Sequence, residues 1–266
     1  MTENGYFSDI KSHLTADLGE KIKYFDVLDS TNDYLKKRVS ELQSGIVIAD
    51  SQTAGRGRNG RDFMSPSGCG VYVSMLFHPY CAISDLTPLT CCAAVAVSEA
   101  IENVCGVKPA IKWVNDLILG TKKVCGILTE TVIDPYSDSA SVIMGVGVNV
   151  NEPPSPFPDE LRDIAASIDA AAGMHTDRSL LAAEIIKNLE QMSKNWRVNL
   201  KKYFDFYKKS CISLQKNAVL VRGGKNEPVY VEDIDDGFAL VVRHADGSLE
   251  TVRSGEVSIR GLCGYF

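Results

Sequence analysis

Gly55-Arg56-Gly57-Arg58-Asn59-Gly60-Arg61 is the stretch on which the fold assignment turns. It contains G-x-G-x-x-G, the spacing of a dinucleotide-binding turn, and it lies close to the phosphate-binding P-loop pattern. Both patterns need a glycine loop that opens directly into a helix, whose N-terminus holds the phosphate. Here the chain continues Phe63-Met64-Ser65-Pro66-Ser67-Gly68, which cannot form the first turns of a helix. The P-loop lysine and hydroxyl positions are held by Arg61 and Asp62. Both readings fail on context. What remains is Arg56, Arg58 and Arg61 on a glycine-rich loop of a chain with net charge -6. A planar guanidinium grips carboxylate or phosphate at two points, and glycine lets backbone approach an anion closely. By itself the loop also reads as a solvated basic turn or a nucleic-acid contact.

Outward from the loop, strand-like and helix-like stretches alternate. Upstream, Phe7, Ile10, Leu14 and Leu18 recur at helical spacing and predict one short amphipathic helix. A strand near Ile22–Leu28 runs into Asp29-Ser30-Thr31-Asn32, a cluster of helix N-cap formers, and Leu35, Val39 and Leu42 supply the stripe of a second helix. Strand 45–49 leads into the polar loop 51–68. Downstream come a strand at 71–77, a helix from about Asp85 to Cys105, and three strands at 110–113, 117–119 and 124–133. Val142–Val150 is a further strand, ending at the turn Pro153–Pro158. Residues 159–209 read as two or three helices, with Leu181, Ile185, Leu189, Met192 and Trp196 on one face. From Leu214 the texture changes to short strands at 218–221, 229–234, 239–243, 249–252 and 257–259, separated by turns rich in Gly, Asp and Asn. The expected organisation is a domain over residues 1–212 followed by a small all-β domain over 213–266.

Composition bounds the function. The 266 residues are 45% hydrophobic and 23% charged, an ordinary globular balance. The acidic net charge means that the chain is not built to coat nucleic acid, so phosphate chemistry must come from a local cluster. The eight cysteines include no C-x-x-C pair and the four histidines no H-x-x-x-H spacing, so a zinc site is unsupported. Runs such as Cys91-Cys92-Ala93-Ala94-Val95 use cysteine as a small hydrophobe, which fits a reducing compartment. No signal-like segment opens the chain and no apolar run is read as approaching a membrane span. A cytoplasmic protein with no membrane partner is expected.

Further motifs follow one order along the chain: Ser30-Thr31-Asn32, then Gln52-Thr53-Ala54-Gly55-Arg56-Gly57-Arg58, Lys112-Trp113-Val114-Asn115-Asp116-Leu117, Lys122-Lys123-Val124-Cys125-Gly126-Ile127-Leu128, and Gly145-Val146-Gly147-Val148-Asn149. In this order and spacing they resemble the active site of bacterial biotin–protein ligases. The closing module, with Gly255-Glu256-Val257-Ser258-Ile259-Arg260, is similar to that family's small barrel. The resemblance implies an α+β fold, with a central mostly antiparallel sheet, helices on one face, and a small SH3-like barrel at the end. It implies an ATP-dependent ligase that joins biotin to AMP and passes it to a lysine of a biotin carboxyl carrier domain. Biotin, ATP and Mg²⁺ are the implied ligands, and a homodimer through sheet edges is a form that family members adopt.

The resemblance also assigns roles. Ser30, Thr31, Asn32 and Gln52 are expected to line the biotin pocket, where neutral hydroxyls and amides suit a ureido ring with two N–H donors and one carbonyl. Read locally, Ser30 and Thr31 are also a helix N-cap. Arg56, Gly57 and Arg58 are expected around biotin, with Arg56, Arg58, Arg61 and Phe63 also toward the adenylate. Lys123 is the expected catalytic residue, joined by Arg58, because a fixed ammonium relieves the repulsion between biotin's carboxylate and the α-phosphate. Gly126 gives the chain room for close approach, and Lys122 reads as a surface lysine. Lys112, Asn115, Asp116 and Asn149 are expected on the nucleotide, with Asp116 a candidate Mg²⁺ ligand. Asn115-Asp116 equally suits a plain turn before a hairpin. Arg260 is expected to reach the nucleotide from the small domain. Two positions depart from the family: Val114 stands where proline is common, expected to be harmless in a strand, and Phe63 where tryptophan is common.

Three rivals are weighed, one of them a catalytically dead small-molecule binding protein that only an activity assay excludes. A lipoate or octanoate transferase shares the family's fold but needs a different acid pocket. A biotin-sensing DNA-binding repressor needs a helix-turn-helix module, and residues 1–21 before the first expected core strand are too few for one, so that role is rejected and no DNA partner is expected.

Overall fold

A computed structural model describes residues 5–133, 140–253 and 257–261, the last stretch through its backbone and the Ile259 side chain. In chain order the elements are α1 (Gly5–Ser12), α2 (Ala16–Glu20), β1 (Ile22–Leu28), α3 (Thr31–Lys36), β2 (Gly45–Gln52), β3 (Gly70–Phe77), α4 (Leu89–Cys105), β4 (Ala110–Lys112), β5 (Asp116–Leu119), β6 (Lys122–Ile133) and β7 (Ala140–Asn149). They continue with α5 (Asp159–Arg162), α6 (Ile168–Ala172), α7 (Arg178–Asn195), α8 (Leu200–Ser210), β8 (Lys216–Arg222), β9 (Lys225–Ile234), β10 (Leu240–Arg243), β11 (Leu249–Val252) and β12 (Val257–Gly261).

The first seven strands form one sheet in the order β1-β2-β3-β7-β6-β5-β4. Only β1 and β2 run parallel, because α3 carries the chain across between them; every other pairing is antiparallel. Strand β3, GVYVSMLF, is buried along its whole length, as a central strand covered on both faces must be. Side chains alternate between faces with period two. Ile46, Ile48, Val73, Met75, Val142 and Met144 point to the face covered by the long helices α4 and α7. Val47, Leu76 and Ile143 point to the other, where the short α3 packs through Leu35. The mostly antiparallel sheet with long helices on one face agrees with expectation; α3 is an addition on the opposite side.

Local signals shifted several boundaries. The predicted opening helix is two, α1 and α2, separated by a turn at 13–15. The helix expected through Val39 and Leu42 ends at Lys36, and those two side chains reach the Leu35 cluster from turns. Pro88 caps α4, so the helix expected from Asp85 begins at Leu89, and Gly106 at φ 67° ends it. The 159–209 region holds four helices, not two or three. Val114 lies in the turn between β4 and β5, not in a strand, and the Trp113–Val114 peptide is cis. The stretch Ile83–Cys105, with mean hydropathy 1.2, is long and apolar enough to cross a membrane, contrary to the sequence reading. Most of it is the core helix α4, which packs against α7, α8 and the sheet, and a buried helix is apolar over most of its surface.

The last five strands make an all-antiparallel sheet in the order β11-β10-β9-β8-β12. It shares the apolar core of the larger sheet. Trp113 donates from Nε1 to the Phe238 carbonyl at 2.9 Å, and the Tyr207 and Phe238 rings meet edge to face at 5.5 Å.

Candidate active site

A cavity of 670 Å³ opens on the α3 side of the large sheet. Its floor follows from strand pairing. Gly126 on β6 pairs with Gly147 on β7, and Leu128 pairs with Gly145, so three glycines share one patch of this face. A Cβ on Gly147 would lie 2.5 Å from the Phe63 ring, and one on Gly145 would lie 2.2 Å from Asn32 Oδ1. Real Cβ atoms do not approach so closely, so the site needs glycine at these positions.

One end of the cavity is closed by polar groups with fixed directions. Ser30 caps α3, its Oγ accepting from Asp33 N at 3.4 Å, so the N-cap and cavity-lining readings both hold. Gln52 Oε1 accepts from Thr31 N at 2.9 Å and from Thr31 Oγ1 at 3.0 Å, and Gln52 Nε2 donates to Ser65 Oγ at 2.9 Å. Asn32 Nδ2 donates to Glu130 Oε2 at 3.0 Å and to the Leu128 carbonyl at 3.3 Å. The Ser74 hydroxyl lies 2.7 Å from Thr31 Oγ1 and 2.6 Å from Asn32 Oδ1. A hydroxyl has one proton and a primary amide two. Thr31 and Asn32 have therefore given up their protons and face the cavity as acceptors. Ser30 keeps its hydroxyl proton and Gln52 one amide proton, so these two face it as donors.

The arginine loop is built by backbone hydrogen bonds, Gly57 N to Arg61 O at 2.7 Å and Phe63 N to Gly55 O at 2.8 Å. Its tip, Arg58–Gly60, is a single 3₁₀ turn with Asn59 and Gly60 at positive φ, and a Cβ on Gly55 would strike the Phe63 carbonyl at 2.4 Å. All three arginines line the cavity but their charges are used differently. Arg58 donates to Asn115 Oδ1 at 3.2 Å, and Asn115 donates onward to the Ile127 carbonyl at 2.6 Å. Burial pulls the Arg58 pKa below the ordinary guanidinium value, against the pull of Asp116. Arg56 is held by Asp33 and, at 3.4 Å, by Glu130. Burial lowers its pKa, but the hydrogen bond to Asp33 and the charge of Glu130 outweigh that and the net shift is upward. Arg61 is exposed at the loop's end.

At the β5–β6 hairpin, Lys123 Nζ pairs with Asp116 Oδ1 at 2.6 Å and lies 3.0 Å from where a Gly126 Cβ would stand. Buried Lys112 on β4 is opposite Asp116 in register. Asn149, at the end of β7, donates to the Ala166 carbonyl at 3.4 Å. Asp116 and Asp163 also line the cavity; among the described residues no group of three or more His, Cys, Asp or Glu side chains is placed to hold a metal.

Every expected site residue lines this cavity except Arg260, whose side chain lies outside the described residues. Sequence reasoning missed one wall, made by Phe157, Leu161, Asp163, Ile164 and Ala165. It is attached by Lys123 N donating to Ile164 O at 2.7 Å and Ala166 N donating to Lys123 O at 3.0 Å. It also missed Ser74 and Glu130, which fix Thr31 and Asn32 from behind.

Known proteins resemble this chain in sequence and fold. Residues 24–149 match the Biotin/lipoate A/B protein ligase family. The Biotin--[acetyl-CoA-carboxylase] ligase of Paracoccus denitrificans is 30% identical over 248 residues, 88% of this chain and 98% of that protein. The chain belongs to this ligase family. The bifunctional ligase/repressor BirA of Bacillus subtilis is 39% identical over 196 residues, 71% of this chain. That match spans 59% of the Bacillus protein's length. Among solved structures, the biotin protein ligase from Aquifex aeolicus in complex with biotin and ATP superposes with a TM-score of 0.76 at 26% identity, covering 91% of this chain and 99% of the other.

Proposed function

We propose that this chain is a biotin–protein ligase that activates biotin with Mg-ATP and transfers it to a lysine of a biotin carboxyl carrier domain. The observation that carries the reading is the polarity of the closed end. Two acceptors, Thr31 Oγ1 and Asn32 Oδ1, and two donors, from Ser30 and Gln52, match a cyclic urea with two N–H groups and one carbonyl. The relative solved with biotin and ATP supports it.

In this reading biotin lies along the glycine floor with its carboxylate toward Lys123. The carboxylate oxygen attacks the α-phosphorus, the bond to pyrophosphate breaks, and biotinyl-AMP forms. Lys123 offsets the repulsion of the two anions and the charge growing between them. Arg58, held by Asn115, covers the same end, and the wall at 157–165 with Phe63 keeps water from the mixed anhydride. In the second step the carrier lysine's amine attacks the biotinyl carbonyl and AMP leaves. Asp116 would hold Mg²⁺: one buried carboxylate fits an ion that takes most of its oxygens from water and phosphate. That ion would offset charge on the nucleotide's phosphates. We further assign residues 1–212 to the catalytic domain and 213–266 to the small one.

The rival substrate is lipoate or octanoate. Neither head group has an N–H, so the accepting capacity that Thr31 Oγ1 and Asn32 Oδ1 keep beyond their bonds to Ser74 and Gln52 would go unused. Pyrophosphate exchange run with biotin and with lipoate tests the proposal. Exchange driven by biotin is expected, and exchange driven by lipoate alone would overturn it.

A further inference from the structure

Glu130 stands behind the closed end. It lies on β6 two residues beyond Leu128 and does not line the cavity. Its side chain is 14% exposed, yet it gathers three groups. Oε2 accepts from Asn32 Nδ2 at 3.0 Å, Oε1 accepts from Lys36 Nζ at 3.0 Å, and Arg56 lies 3.4 Å from Oε1 and also holds Asp33. Burial raises the pKa of this carboxyl, but the hydrogen bonds from Asn32 and Lys36 and the charge of Arg56 outweigh it, and the net shift is downward. At neutral pH Glu130 is therefore an acceptor only.

An asparagine amide has two orientations of nearly equal shape and opposite polarity. On the NH₂ side of the Asn32 amide stand two acceptors, the Glu130 carboxylate and the Leu128 carbonyl, while the Ser74 hydroxyl meets its Oδ1 at 2.6 Å. Turned round, the amide would set its oxygen against both and aim its NH₂ group at the ligand. We infer that Glu130 is a positioning residue for substrate specificity: it locks the Asn32 amide with Oδ1 toward the closed end, where that oxygen accepts a ring N–H of the substrate. The two cations on Oε1 hold the carboxylate itself in place, so the arginine loop and the ring-reading amide share one anchor. This inference rests on the proposed biotin ligase reading.

The test is a polarity swap. Glu130→Gln puts a donor within reach of Asn32, and Asn32→Asp sets two carboxylates against each other. Each single change should weaken biotin binding roughly 10- to 100-fold by calorimetry, with KM for biotin in pyrophosphate exchange rising more than kcat falls. The double variant Glu130→Gln, Asn32→Asp restores a donor behind and an acceptor in front, and most of the lost affinity should return. Losses that simply add, or single variants that bind as the unmodified chain does, would overturn the role of Glu130. Should Glu130→Gln melt below the assay temperature, Glu130→Asp keeps the charge but draws it away from the amide; weaker binding is expected and unchanged binding would overturn the inference. A chain without substitutions that shows no biotin-dependent exchange would instead sink the ligase reading itself.

Discussion

Lys123 Nζ and Asp116 Oδ1 are 2.6 Å apart on the cavity side of the β5–β6 hairpin, and the ammonium lies over Gly126 where a side chain would otherwise be. In the proposed reaction the pair would keep a positive charge at the point where the two anionic substrates meet. Lys123→Ala should cost about 2–4 kcal/mol in the first half-reaction, the scale of one lost transition-state donor. Biotin-dependent pyrophosphate exchange measures it, and an unchanged rate would remove Lys123 from the mechanism.

The glycine floor makes a second, sterically defined prediction. Gly145→Ala brings a methyl into Asn32 Oδ1, which is held by Ser74 and, through its amide, by Glu130. Overpacking of this kind costs about 1–3 kcal/mol. Here it should appear chiefly as weaker biotin binding, since the displaced amide reads the ring. Calorimetry with biotin beside a thermal melt separates the two effects; a melt shift with unaltered biotin affinity would contradict this account of the floor.

How much of this was legible beforehand depends on how local each signal is. The arginine loop, Ser30-Thr31-Asn32 and Lys123-x-x-Gly126 were visible because unusual residue types sit together in sequence. The glycine floor was half visible: Gly145 and Gly147 alternate in one strand, but Gly126 joins them only through the β6–β7 register. The 157–165 wall was invisible because Phe157, Leu161 and Ile164 look like any proline-rich turn and helix. Only the backbone pairing with Lys123, far away in the chain, brings them to the cavity. Glu130 was hidden for the same reason; in sequence it is one polar residue in an alternating strand. The elements were legible in type and order, and apolar spacing alone misplaced helix ends, as at Pro88, before which α4 does not extend, and at Lys36, where α3 stops.

Arg58 has a role distinct from that of Lys123. It is half-buried and tied to Asn115, so in the proposed reaction it would close the nucleotide end more than act on the reacting atoms. Arg58→Ala should leave biotinyl-AMP formation measurable while more of the adenylate escapes into solution. Chromatographic assay of free biotinyl-AMP, with no carrier present, tests this; equal leakage from both proteins would argue against a closing role.

The small sheet carries a pH-dependent contact. His244 Nδ1 meets Glu227 at 2.7 Å and Nε2 meets Glu250 at 3.0 Å, joining β9 to β11 across the sheet, while Arg222 holds Glu250 from the other side. The hydrogen bond to Glu227 raises the His244 pKa most, burial opposes it, and Glu250 adds to the rise, so the ring titrates above its ordinary 6.5. A pKa raised by folding means that the charged ring contributes its full stabilisation below the unfolded value, and that this is lost as pH climbs through the folded one. The melting temperature should therefore decline from about pH 6.5 upward, modestly, because the site is near solvent. His244→Gln should flatten that decline. Melts at closely spaced pH values, paired with the imidazole's NMR titration, check both halves; an identical slope in the variant would show that another group governs it.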